Sequence, residues 1–94
     1  MRIGNGFYST DGYITTSERD TEIIPIEPTS YPKSRYKFYK LSFDCKQDCH
    51  VIINKRDRLY IKSAYGFSIS EYDKPIDSFV IEESGTEYYM IGAY

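Results

Sequence analysis

The chain has 94 residues, 40% hydrophobic and 28% charged, with 12 basic against 14 acidic side chains and a formal net charge of −2. Such a balance describes one small globular domain with a modest core, not a disordered chain. It also argues against a strong general attraction to nucleic acid or to an anionic membrane. No apolar run approaches the length of a membrane span, and the opening MRIGNGFYST has no signal-peptide pattern, so the expectation is a soluble protein not exported by that route.

Eleven tyrosines and five phenylalanines stand beside no tryptophan and only two alanines. Flat rings pack well across a pleated surface, whereas alanine is scarce and no long stretch keeps a 3.6-residue apolar period. The composition predicts a nearly all-β chain.

Residues 1–34 hold three of the six glycines and three of the four prolines. Their compact apolar island is EIIPIE, where Ile23, Ile24 and Ile26 surround Pro25. Proline removes a backbone donor, so residues 22–27 can form at most an edge strand or an extended segment. One reading makes residues 1–34 a ragged end plus that strand. The other makes them an extended arm, too polar to build a core, that orders on a partner. In the second reading Ile23, Ile24 and Ile26 anchor the arm against a sheet edge of this chain or of a neighbour, and deletion of residues 1–20 leaves the domain's stability nearly unchanged.

From Arg35 onward strand patterns follow one another. RYKFYKLSFD alternates through Tyr36 and Phe38 and then shifts parity to Tyr39, Leu41 and Phe43, which predicts a bulge or burial on both faces. CHVIIN and RLYIKS flank NKRD, a turn suited to a hairpin. YGFSIS alternates through Tyr65, Phe67 and Ile69, and Asp73-Lys74-Pro75 breaks the pattern before IDSFVIEE. Ser84-Gly85 then offers a turn into EYYMIGAY, so the last two strands are expected to pair as a hairpin. In the last strand Tyr89, Ile91 and Ala93 point one way, and Tyr88, Met90 and Tyr94 the other. Burial of both faces by this chain's own loops is one account; a core face and a partner face is the other. Tyr88, Met90 and Tyr94 are the interface candidates here, with Ile23, Ile24 and Ile26 from the arm. About six short strands at this spacing predict a small β-sandwich or jelly-roll-like domain over residues 35–94.

Reactive groups are sparse. DCKQDCHV brings Cys45, Cys49 and the sole histidine, His50, together. A structural zinc site normally needs four ligands, and a complete site here would require Asp44 or Asp48, so no metal is expected. A disulfide across Cys-x3-Cys is sterically conceivable but closes a small loop; two ordinary thiols, at least one buried, are the favoured reading. Adjacent Cys49 and His50 should point to opposite faces of a strand, which separates a nucleophile from its base. No phosphate loop, HExxH or GxSxG is present, so neither catalysis nor a cofactor is expected. Tyr60, Tyr65, Tyr72, Tyr88 and Tyr89 could line one face as a stacking platform for a sugar or a single strand. The basic residues Lys55, Arg56, Arg58 and Lys62 are interrupted by Asp57, however, and protein contacts are the better use of tyrosine.

The segment from Cys49 to Tyr94 carries Val51-Ile52-Ile53-Asn54, then Gly66-Phe67, then Ile76-Asp77-Ser78-Phe79-Val80-Ile81-Glu82-Glu83-Ser84-Gly85-Thr86-Glu87-Tyr88, and ends in IGAY. This pattern resembles the C-terminal half of small structural proteins of tailed phages and prophages of Gram-positive bacteria. The likeness departs at Met90, where a bulky aromatic is expected, and at KRDR, where a glycine turn is more usual. The resemblance implies a non-enzymatic accessory component of a capsid, neck or tail. It would be assembled in the host cytoplasm and located in the virion, with other virion proteins and copies of itself as partners. A carbohydrate-binding module with a tyrosine face, and a small regulatory or inhibitory protein, are the alternatives.

Overall fold

Between Lys40 and Cys45 every second side chain is apolar, and in the computed structural model of the protein Leu41, Phe43 and Cys45 all turn inward. The structure describes residues 6–26, 34–70 and 73–94. Its strands are β1 (Phe7–Ser9), β2 (Ile14–Thr15), β3 (Thr21–Glu22), β4 (Lys40–Cys45), β5 (Cys49–Ile53), β6 (Asp57–Ile61), β7 (Phe67–Ile69), β8 (Phe79–Ile81) and β9 (Glu87–Ala93). They form two antiparallel sheets packed as a β-sandwich, with no helix among the described residues. The first sheet runs β1-β9-β4-β7, with β2 also on β9; the second runs β3-β8-β5-β6.

The core lies between the sheets. Phe43 from the first sheet and Phe79 from the second meet at 4.6 Å between ring centroids. Around them pack Val51, Ile81, Met90, Phe38, Ile76 and Ile24, all buried. The parity change in RYKFYKLSFD is a bulge. The Tyr39 amide donates to the Ala93 carbonyl, while Ala93 has Lys40 as its cross-strand partner, so two successive residues face one. The extra residue lets Tyr36 and Phe38 point inward before the bend and Leu41, Phe43 and Cys45 after it. Gly92 lies inside this bend. A Cβ there would sit 2.5 Å from the Lys40 carbonyl oxygen and 2.8 Å from a Phe38 ring carbon, so only glycine lets the strands approach so closely.

The NKRD hairpin forms as expected, β5 pairing β6 from Cys49↔Ile61 to Ile53↔Asp57. Asn54 and Lys55 take φ of 53° and 57°, the left-handed pair that suits a tight hairpin. The Asn54 side chain also holds the following loop, donating to the Pro75 carbonyl and accepting from the Asp77 amide.

Two expectations need correction. First, β8 and β9 do not pair. β8 lies between β3 and β5 in the second sheet, β9 between β4 and the β1/β2 edge in the first. Phe79 and Ile81 point into the core from one side and Tyr88 and Met90 from the other, so the connection between the strands arches over the sandwich instead of reversing within a sheet. Second, residues 6–26 are not a peripheral arm. β1 and β2 complete one edge of the first sheet, through Phe7↔Ala93, Ser9↔Ile91 and Ile14↔Tyr88, and β3 completes the second through Thr21↔Ile81. Of the edge strand expected over 22–27, the two-residue β3 overlaps only at Glu22; Ile26 makes an isolated bridge to Arg35, and regular pairing stops before Pro25, a residue without an N–H. Glu27 of the expected range lies outside the described residues.

Candidate interaction surface

Buried threonines join the N-terminal strands to β9. The Thr10 hydroxyl accepts from the Met90 amide and donates to the Gly12 carbonyl, while its own amide donates to the Met90 carbonyl. Thr16 repeats the device, accepting from the Thr86 amide and donating to the Glu83 carbonyl. On the other sheet Glu22 is the clasp: its carboxylate accepts from the Ile24 and Phe79 amides and from the Ser78 hydroxyl. Sequence reasoning missed all three, because an isolated Thr or Glu in a polar stretch looks like any solvated residue.

These anchors decide where the interface candidates lie. Ile23 and Ile24 are core residues of this chain, set against β8 through the Ile23 amide on the Phe79 carbonyl. Tyr88 and Met90 are also buried, Met90 completely, at 0% exposure. Tyr94 is half-buried in an aromatic group with Tyr36 and Phe38, at centroid distances of 4.4 and 6.3 Å. Of the six candidates only Ile26 is an exposed apolar side chain. The parity of β9 was legible, but its sense was not: the Tyr88/Met90 face fills the core, and the outward face is Tyr89, Ile91 and Ala93. The tyrosines likewise do not share one face. Tyr88 is inside, Tyr60 belongs to β6 of the second sheet, Tyr89 to β9 of the first, and Tyr72 lies outside the described residues.

On the outward side of the first sheet the apolar side chains follow β9 and the start of β1, while β4 presents Lys40, Ser42 and Asp44. Directly paired residues share a face, so Phe7, Ala93 and Lys40 form one row, Ser9, Ile91, Ser42 and Ser68 the next, and Tyr89 with Asp44 the third. Phe7 is 84% exposed and Ile91 43%. Tyr13 packs on Tyr89 at 6.1 Å, and the Lys46 ammonium sits 4.6 Å above the Tyr13 ring. A shallow groove of about 300 Å³ runs over this face, lined by Phe7, Ile91, Ala93, Lys40 and Ser68 among others.

The Cys–His cluster lies elsewhere, at the arch between β4 and β5. Both thiols are free, buried and in hydrogen-bond contact with each other. Burial, with Cys45 beside it, pushes the Cys49 thiol up to about 12, and burial pushes Cys45 up as well. Neither is a ready thiolate. His50 faces the other way: its Nδ1 lies 2.6 Å from a Glu83 carboxylate oxygen, and its amide donates to the other oxygen at 2.8 Å. Tyr60 packs on the imidazole at 4.9 Å and donates to Asp48, which also accepts from the Ser63 amide. These bonds hold Asp48 below its ordinary value. The cluster ties β5, β6 and the β8–β9 arch together, but the thiols and the imidazole occupy opposite sides of the strand. No group of three or more metal-ligating side chains gathers among the described residues.

Compared with known protein families, with characterised proteins and with solved structures, the chain matches none.

Proposed function

We propose that the protein is a non-catalytic assembly module, and that the assembly is a tailed-phage or prophage-derived particle in which it serves as an accessory protein of capsid, neck or tail. The observation that carries the assembly part is the outward face of the first sheet, where Phe7, Ile91 and Tyr13 are exposed, with Tyr89 half-buried beside Tyr13, on an otherwise well-satisfied sandwich. A contiguous apolar strip framed by polar residues is the signature of a protein-binding surface. The reactive groups support the same reading: the thiols are buried and protonated, and His50 is committed to Glu83. The particle part rests on the resemblance of Cys49 to Tyr94 to small phage structural proteins.

Mass spectrometry and gel analysis of purified particles, induced from a host carrying the gene, test this directly. The expected result is the protein at fixed stoichiometry in particles. Its absence from particles, with glycan binding by the isolated protein, would replace this function with a carbohydrate-binding module built on exposed tyrosines such as Tyr60 and Tyr65. Absence from particles together with a stable soluble host partner would favour a regulatory or inhibitory protein.

A further inference from the structure

We infer that the outward face of the first sheet binds the same face of a second copy of this chain, about a two-fold axis that runs between the sheets and perpendicular to the strands. The inference rests on the assembly reading above and names the surface, the partner and the geometry. Lys40 and Asp44 are both exposed on β4 and lie at opposite ends of this face, about 13 Å apart at the usual strand rise. Neither has an ion-pair partner among the described residues. Between them is the row Ser9, Ile91, Ser42 and Ser68, which has no charge.

The symmetry follows from that arrangement. A two-fold axis along the middle row reverses strand direction in the partner while keeping β4 over β4 and β9 over β9. Lys40 of each copy then faces Asp44 of the other, Ala93 faces Tyr89, and Ile91 meets Ile91 at the centre. Phe7 is carried toward the Tyr13/Tyr89 end. An axis along the strands would leave Lys40 at the same end as the partner's Lys40, which repulsion disfavours. Among the described residues of β4, β9 and the turn that follows β4, the same end also carries Lys46, drawn onto the Tyr13 ring, and Glu87, so with Asp44 the two carboxylates outnumber the one ammonium. Facing sheets with reversed strands pack in the aligned manner that sheet twist favours, and an isologous contact of this kind closes on itself.

The face is small. Its four-strand width at about 4.8 Å per strand, and a β9 length of about 23 Å, give roughly 440 Å² per copy before side-chain relief. That places the pair at the low end of specific interfaces. The expected complex is therefore weak, forming in the micromolar to millimolar range and strengthened where many copies are held together.

Sedimentation velocity of the full chain over that range, at low and moderate salt, is the test. A monomer–dimer equilibrium is expected. Lys40→Glu should weaken it about tenfold or more, Lys40→Glu with Asp44→Lys should restore it, and Ile91→Arg should abolish it. All three side chains are exposed, and far-UV circular dichroism of each variant checks that the fold is kept. Chemical-shift changes on dilution should centre on β9 and β4. A chain that is monomeric throughout, a dimer indifferent to Lys40→Glu, or shifts centred on β6 would overturn the inference. Failure here with the protein still present in particles would leave the assembly reading standing; a confirmed dimer absent from particles would do the reverse.

Discussion

Glu22 shows how much one side chain can decide. Its carboxylate satisfies two backbone amides, of Ile24 and Phe79, and a buried serine hydroxyl at the junction of β3 and β8. Removing it strands those donors, and each unsatisfied buried group costs about 1–3 kcal/mol. Glu22→Ala should therefore destabilise the protein by about 2–4 kcal/mol in urea unfolding, well beyond the effect of an exposed Glu18→Ala. Glu83 gives a pH signature. Burial pushes its carboxyl up, but the His50 ring and amide outweigh burial and hold it below its ordinary 4.5. A carboxyl depressed in the folded state contributes stability above its unfolded pKa, and that contribution disappears as pH falls through the folded pKa. The melting-temperature gap between wild type and Glu83→Gln should be full near neutrality and shrink at pH values below 4.5. Cys45 and Cys49, buried with raised pKa values, should resist an aromatic disulfide reagent at neutral pH and titrate fully once the chain unfolds. Fast reaction of the native protein would contradict their burial.

At the scale of elements, the N-terminal strands belong to the sandwich. β1 and β2 cover the free edge of β9, Tyr8 packs on Tyr36 at 5.4 Å, and Thr10 and Thr16 lie buried with their hydrogen bonds made. Deleting residues 1–20 should lower the melting temperature sharply or prevent folding, the opposite of what a dispensable arm would do. Retention of wild-type stability would show that β9 does not need this edge. The segment misled because its apolar residues are few. It contributes mostly backbone pairing and buried hydroxyls, which hydrophobic patterning does not register. Pairing of β8 with β9 was similarly misjudged. A glycine turn between two strand patterns is the mark of a hairpin, yet the same turn serves an arch when each strand has better partners elsewhere. The NKRD hairpin was legible because Asn, charged residues and Asp separate two strand patterns, and the structure forms it with two consecutive left-handed residues and an in-register pair.

For the whole molecule, topology governs kinetics. Among the described strands, β5 and β6 are the pair joined by a tight turn, while Phe7 must find Ala93 and Thr21 must find Ile81 across most of the chain. Loops of that length must close before their contacts stabilise anything, so folding is slow for the size. Stopped-flow refolding should fall in the millisecond-to-second range, and a microsecond phase accounting for the full amplitude would contradict this order of events.

The all-β class, the strand positions after Arg35, the parity break near Tyr39 and the separation of Cys49 from His50 followed from the sequence alone; that the break is a bulge and not burial on both faces came from the structure. The legible features are set by local rules: ring packing on pleats, alternation along a strand, and a parity break. Three further things were decided only by the tertiary structure: which face of β9 is inside, which strands pair, and the placing of residues 6–26 in both sheets. Alternation shows that a strand has two faces, but when both carry Tyr, Met or Ile it cannot say which one the opposite sheet will cover. That choice was made by the bulge at Tyr39 and by Gly92, which bring β4 against β9 with Phe43 and Met90 pointing the same way, into the core.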